Sequence, residues 1–520
     1  MTVRHFCLGS PSRWIGMILA LLTGLAVQAA DLPLAPARLN PGVEPDISDA
    51  LRPNTYLGNL PEIGSSSAAA LSPAQEHLLG KAFMRSLRKQ IKVLDDPLLN
   101  DYLWDLGQRL ASRSDEPGRH FYFFLVDAPE INAFAGPNGY IGVHAGLILA
   151  TEGEDELAAV MAHETAHVTQ KHLLRAFDDT SRFSLATAAL MIAAAIAGSR
   201  VSGDAAIAAV LGVQAGALQH QINFTRQNEW EADRVGMQIL AGAQFDPRAM
   251  PVFFERLSRA TRSNDTNAPE FLRTHPVTTN RIADSLERAE KFGYKQYPED
   301  IRYGLTRAAL KAQSFVNPVD AVDYFKAGLR EGRYRDLTAH RYGYALALLR
   351  QHQTAAVAEA LAQLLKPHPH QPAFLILQAR LHQSEGALEL GLKTLQGGLA
   401  LLPGNYPLRM TEAEFLLAAG RPKAARETLL PLLTTHPDEP EVYKALAQAS
   451  GEAGDPLIAH RYLAEQYYLN GQIEAAIAQL EAALRKPGDF QKTSEIDARL
   501  RVLKDELKEM KKEGYKPSRK

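Results

Sequence analysis

The sequence contains almost no cysteine. Among 520 residues there is one, Cys7, and it stands ahead of the first apolar run. Charge of one sign is missing too: the formal net charge is -2, which argues against nucleic acid or another polyanion as partner. Long apolar runs are also absent. The stretches at 14–27, 186–198 and 205–218 all fall short of the ~20 residues that a membrane-spanning helix needs. What remains is ordinary globular composition, 46% hydrophobic and 22% charged, in a chain long enough for two or three domains.

Arg4 and Arg13 precede the run from Trp14 to Val27, and Val27-Gln28-Ala29 places small residues at the -3 and -1 positions of a cleavage site. Residues 1–29 therefore read as a secretory signal peptide. Removing them removes Cys7, so the mature chain carries no thiol and no disulfide, as a bacterial periplasm permits. Residues 30–71, rich in Pro, Ala and Ser without a sustained period, read as a surface linker.

Structure begins at Ser72. Ser72-Pro73-Ala74-Gln75 is a helix start, and the spacing predicts a helix to about Val93. Asp96-Pro97 starts a second, with Leu99, Leu103, Leu106 and Leu110 on one face. Phe121 to Val126 reads as a buried strand, and Pro137-Asn138-Gly139 between two apolar segments as the turn of a hairpin. An exposed edge of that sheet would accept an extended peptide as an added strand.

Directly after the hairpin comes His163-Glu164-Thr165-Ala166-His167. Leu157, Val160, Met161 and Val168 fall at helical spacing, which predicts a buried amphipathic helix from about Asp155. On it His163 and His167 lie about 40° apart around the axis, so both imidazoles reach one point, the spacing of a zinc-binding histidine pair. Glu164 beside that point can accept a proton from a water that the metal acidifies. The chemistry implied is amide hydrolysis.

Two histidines and a water leave zinc one ligand short. Downstream, Asn228-Glu229-Trp230-Glu231-Ala232-Asp233-Arg234 places Glu229 and Asp233 on one helical face and Glu231 about 200° away. Spacing alone favours Glu229 without deciding. The two motifs together resemble the zinc metallopeptidase family that includes the CAAX prenyl endopeptidases, and within it the periplasmic BepA-like branch. The resemblance implies one Zn2+ per chain held by His163, His167 and Glu229, with Glu164 as general base. It makes Asp233 a group that either orients a ligand or donates a proton in catalysis. Thr274-His275-Pro276 with Asn280-Arg281-Ile282 also resembles that branch. His275 is expected near the metal, where it would stabilise the tetrahedral intermediate or take the water's place and keep the enzyme silent. His172, close to the motif in sequence, reads as structural. The apolar runs at 186–198 and 205–218 read as a helical hairpin packed on the core, or as a surface that touches the membrane or a membrane-bound partner.

From about residue 296 a repeat takes over. Pro369, Pro403 and Pro437 share a step of 34 residues with Gly386, Gly420 and Gly454, with Ala345, Ala379, Ala413 and Ala447, and with Leu361, Leu395, Leu429 and Leu463. Four columns on one period resemble the tetratricopeptide repeat, an α-solenoid whose concave face binds proteins. The chain is thus expected to be mainly α: a metallopeptidase domain with a small β-sheet at 72–295, repeats at 296–490, and a charged closing helix and tail at 491–520. The family resemblance implies an exported endopeptidase acting on proteins in the quality control of outer-membrane proteins, with their assembly machinery as partner. The alternative is a periplasmic chaperone in which binding by the repeats dominates over cleavage.

Overall fold

A computed structural model describes residues 71–176, 185–197, 226–262 and 269–512. The signal peptide, the linker and the run at 205–218 lie outside the described residues.

Helix α1 (Pro73–Arg88) opens on the Ser72/Gln75 capping box, and α2 (Pro97–Ala111) on Asp96, whose carboxylate accepts the amides of Leu98 and Leu99. α1 stops at Arg88, short of the expected Val93. Residues 92–94 instead run antiparallel to a strand: Leu94 N–H donates to Leu125 O and Asp127 N–H to Lys92 O. The β-branched Val93 gains more from that pairing than from another helical turn.

The sheet has the order β1 (Tyr122–Val126), β3 (Tyr140–His144), β2 (Ala133–Ala135). β2 and β3 form the expected hairpin, turned by Asn138 (φ 58°) and Gly139 (φ 79°), and β1 joins β3 in parallel. One expectation is overturned. Among the described residues β2 has no strand on its outer side, but Ala133, Phe134 and Ala135 are at most 8% exposed, so this edge is covered.

A short helix α3 (Ala145–Ala150) separates the hairpin from α4 (Glu154–Thr169), which carries the histidine motif. Glu154, Asp155 and Glu156 place negative charge at the α4 N-terminus, where the helix dipole favours it. α4 is not amphipathic as expected. Of its sixteen residues all but Asp155 are buried, because the sheet, α2 and α7 (Arg226–Gly242) surround it. A central helix with no solvated face needs no polar stripe. α4 and α7 meet closely at Gly236, where an added Cβ would stand 3.1 Å from Ala162 O and from His163 Cα. That approach brings Glu229 and Asp233 to His163.

α5 (His172–Ala176) follows α4 after a turn, and α6 (Leu185–Ala197), the first alanine-rich run, packs against α1 with Ala189, Ile192 and Ala193 fully buried. α8 (Ala249–Arg262), α9 (Glu270–Thr274) and α10 (Thr279–Lys291) complete this region. Among the described residues no helix is long and apolar enough to cross a membrane.

Helices then stack: α11 (Ile301–Ser314) and α12 (Pro318–Glu331) both pack on α13 (Leu337–Arg350), α13 pairs with α14 (Thr354–Leu365), and α15 (Pro372–Ser384) with α16 (Leu388–Leu401). α17 (Tyr406–Ala418) pairs with α18 (Pro422–Leu429), Pro431 breaks the helix before α19 (Leu432–Thr435), and α20 (Pro440–Glu452), α21 (Pro456–Leu469) and α22 (Ile473–Leu484) continue the stack. The repeated glycines end helices in the left-handed conformation, Gly386 at φ 77°, Gly420 at 69° and Gly454 at 85°. Ala345, Ala379 and Ala413 are fully buried where paired helices approach. α23 (Phe490–Lys512) closes the stack through Ile496, Leu500 and Leu503, and its Glu506 reaches back to Arg85 of α1 at 2.5 Å. A second tie is buried: Tyr122 of β1 donates to Glu439, the cap of α20, at 2.7 Å.

Candidate metal centre

The residues singled out by their spacing converge. His163 Nε2 and His167 Nε2 are 3.0 Å apart, and Glu229 Oε1 lies 3.4 Å from His167 Nε2. His275, placed by the C-terminal end of α9, puts Nδ1 3.4 Å from His163 Nε2 and 3.0 Å from Glu229 Oε1. One donor atom from each of the four lies within 4.8 Å of the others, and all four residues are buried. Zinc–nitrogen bonds of ~2.0–2.1 Å imply donors about 3.3 Å apart along the edges of a tetrahedron. Separations of 3.0 and 3.4 Å lie on either side of that length, so the chemistry and spacing of this donor set fit zinc.

Each donor is aimed by what stands behind it. His163 Nδ1 meets Asp233 Oδ1 at 3.0 Å, which turns Nε2 toward the shared point. Asp233 is itself gripped by Arg281, which donates from Nε at 2.8 Å and from Nη2 at 2.7 Å, while Arg281 Nη1 lies 2.7 Å from Glu229. Arg281 is 2% exposed. Its cost of burial is offset by contacts with two carboxylates and by the Pro276 carbonyl. His167 Nδ1 faces His172 Nδ1 at 2.9 Å. Glu164 is fully buried, 3.4 Å from His275 Nε2, and neither of its carboxylate oxygens has a hydrogen-bond partner among the described residues.

The electrostatics match the donor roles. Burial raises the Glu164 carboxyl above its ordinary value. Burial would raise Glu229 as well, but His275, His163 and His167 outweigh it and hold this carboxyl well below the usual range. His167 is pushed well down by burial, which keeps its imidazole neutral. His163 goes the other way: burial opposes its charge, yet Asp233 and Glu229 carry it up to about 9. The two carboxylates thus call for a positive charge beside His163, which a dication would supply in place of the proton.

The sequence that builds this site matches a known family. The pattern of peptidase family M48 matches residues 97–289, and that of the tetratricopeptide repeat residues 383–449. A beta-barrel assembly-enhancing protease of Escherichia coli (strain K12) is 33% identical over 466 residues, covering 88% of this chain and 93% of that protein. This chain belongs to peptidase family M48. A putative beta-barrel assembly-enhancing protease of Vibrio cholerae is 40% identical over 324 residues, 61% of this chain and 65% of that protein. The mitochondrial metalloendopeptidase OMA1 of Danio rerio is 30% identical over 209 residues, 39% of this chain and 43% of that protein. The M48 chain described here is a zinc metalloendopeptidase with tetratricopeptide-like repeats, and its cofactor is zinc.

Sequence reasoning missed two features. Arg281 was noted only as part of a motif, and its buried grip on Asp233 and Glu229 has no periodic signal. His172 reads as structural in sequence, and the spacing gives no sign that it stands directly behind His167, at 2.9 Å. Away from the metal centre, the repeats and α2 enclose a groove of about 790 Å3 lined by residues that include Leu99, Tyr342, Ile376, Arg380 and Met410. None of the metal-centre residues lines it. Repeats of this kind take protein partners.

Proposed function

We propose that this protein is an exported endopeptidase that cleaves proteins during the assembly or quality control of outer-membrane proteins, and that the described structure is its closed state. The relatives named for beta-barrel assembly support the biological setting, and the sequence features at 1–29 support the periplasm as its site. In this reading His163, His167 and Glu229 hold zinc, and Asp233 orients His163. With both oxygens engaged by Arg281 and one also by His163, Asp233 fits the orienting role better than proton donation.

Zinc, when bound, supplies Lewis acidity for the scissile carbonyl and acidifies a water. Glu164 takes the proton released on attack and passes it to the leaving amine; its upward shift brings it nearer the operating pH of such a shuttle. This use of Glu164 needs His275, 3.4 Å away, to move. The place of His275 inside the donor cluster, 3.4 Å from His163 Nε2 and 3.0 Å from Glu229 Oε1, is the single observation that carries the closed-state reading, since there it would take the position of the water.

A second reading, a chaperone in which the repeats bind and cleavage is rare, is favoured by the burial of the whole centre. The ligand assignment is tested by metal analysis of the purified mature chain. One zinc per wild-type chain, lost in His163→Ala and in Glu229→Ala, is the expected result. Full zinc retention in both variants would overturn it.

A further inference from the structure

Glu231 points away from the metal on α7, and His172 follows the motif after a turn, yet they meet behind His167. Lys171 adopts φ 54°, a left-handed conformation uncommon outside glycine, and it folds the chain back so that His172 lies under α4. His172 is fully buried, with Nδ1 2.9 Å from His167 Nδ1 and Nε2 3.1 Å from Glu231 Oε2. Arg175 Nη1 stands 3.6 Å from the same carboxylate oxygen.

The proton assignment along this chain has one consistent solution. If His167 offers Nε2 to zinc, its proton is on Nδ1, and His172 Nδ1 must accept it. His172 then carries its own proton on Nε2 and donates it to the Glu231 carboxylate. His163 receives the same service from Asp233 directly. One helix therefore supplies a donor to the centre (Glu229) and the acidic end of both supports (Asp233 and Glu231). We propose that His172 and Glu231 are positioning residues that fix the tautomer and ring orientation of His167, so that zinc affinity depends on a Glu231–His172–His167 series. This rests on His167 being a ligand.

The test is zinc affinity of the full mature chain by competition with a chromogenic chelator, with the visible spectrum of the Co2+-loaded protein as a second readout. His172→Phe keeps the ring volume and removes the acceptor; it should weaken zinc binding about 10–100-fold. His172→Asn places Oδ1 where Nδ1 stands, so it should recover most of that loss. Glu231→Gln, a partly exposed change that leaves the core intact, should weaken binding about threefold to tenfold. The Co2+ spectrum should change in His172→Phe and Glu231→Gln and stay close to wild type in His172→Asn. A purely packing role predicts the reverse order, with Phe tolerated and Asn not. Wild-type affinity in both His172→Phe and Glu231→Gln would overturn the proposal, as would loss in Asn alone. If His172→Phe does not fold, Glu231→Gln decides by itself. His167→Ala separates the two ideas: zinc binding that survives there refutes the ligand assignment, whereas zinc lost there but kept at wild-type affinity in both His172→Phe and Glu231→Gln refutes only the positioning role.

Discussion

Replacing Arg281 with Met isolates the charge balance on which the centre depends. The guanidinium is 2% exposed and lies within 2.8 Å of oxygens from Asp233 and Glu229, both themselves buried. Charge-assisted hydrogen bonds contribute about 1.5–3 kcal/mol each, but part of that sum offsets the desolvation of Arg281 itself, which the variant no longer incurs. What remains is the cost of two buried carboxylates without their cation, about 3–5 kcal/mol for a broken buried pair. His163, raised to about 9 by those same carboxylates, stays as a partial counter-charge and places the loss at the lower end. For a domain of this size about 2–4 °C is lost per kcal/mol, so the metallopeptidase transition should fall by about 6–12 °C. The assay is differential scanning calorimetry of wild type and Arg281→Met, in chelator and again with saturating zinc. Zinc should shrink the gap, because the dication takes over the neutralisation of Glu229. A shift below about 3 °C in chelator would refute the reasoning.

Three further outcomes follow from the geometry. Gly236→Leu forces α4 and α7 apart where a Cβ already stands 3.1 Å from backbone, so zinc affinity should drop about tenfold or more in a chelator competition. Tyr122→Phe leaves the buried Glu439 carboxyl without its donor and should cost about 1–3 kcal/mol, read as earlier proteolytic release of the repeats. Burial, with Asp105 nearby, raises Asp101 to about 6, against the pull of Arg302. A raised carboxyl holds its proton longer in the folded state, so its contribution is retained at low pH and lost as pH rises through about 4 to 6. Asp101→Asn should therefore be stabilising by about 1–2 kcal/mol at pH 7.5 and neutral at pH 4 in urea titrations.

Local chemistry made much of this molecule readable in advance. Ser72/Gln75 and Asp96-Pro97 state their helix starts within four residues, and the 34-residue columns state the solenoid because every repeat solves the same packing problem. The pair His163/His167 was legible because helical geometry alone brings the rings together. Features set by distant packing were not. The α4 flanks look amphipathic in sequence, but three neighbours bury the whole helix. Val93 leaves the helix for a pairing with β1 that nothing local announces. The covered edge of β2 is another such case, since what closes over a strand is invisible in the strand. His172 depends on the left-handed turn at Lys171, a residue type that gives no warning of it.

The claim that this is a hydrolytic centre closed by His275 is tested most directly by casein cleavage with zinc-loaded wild type, Glu164→Gln and His275→Ala. Cleavage faster in His275→Ala than in wild type, and absent in Glu164→Gln, is the predicted result. Casein cut by Glu164→Gln at the wild-type rate would contradict it.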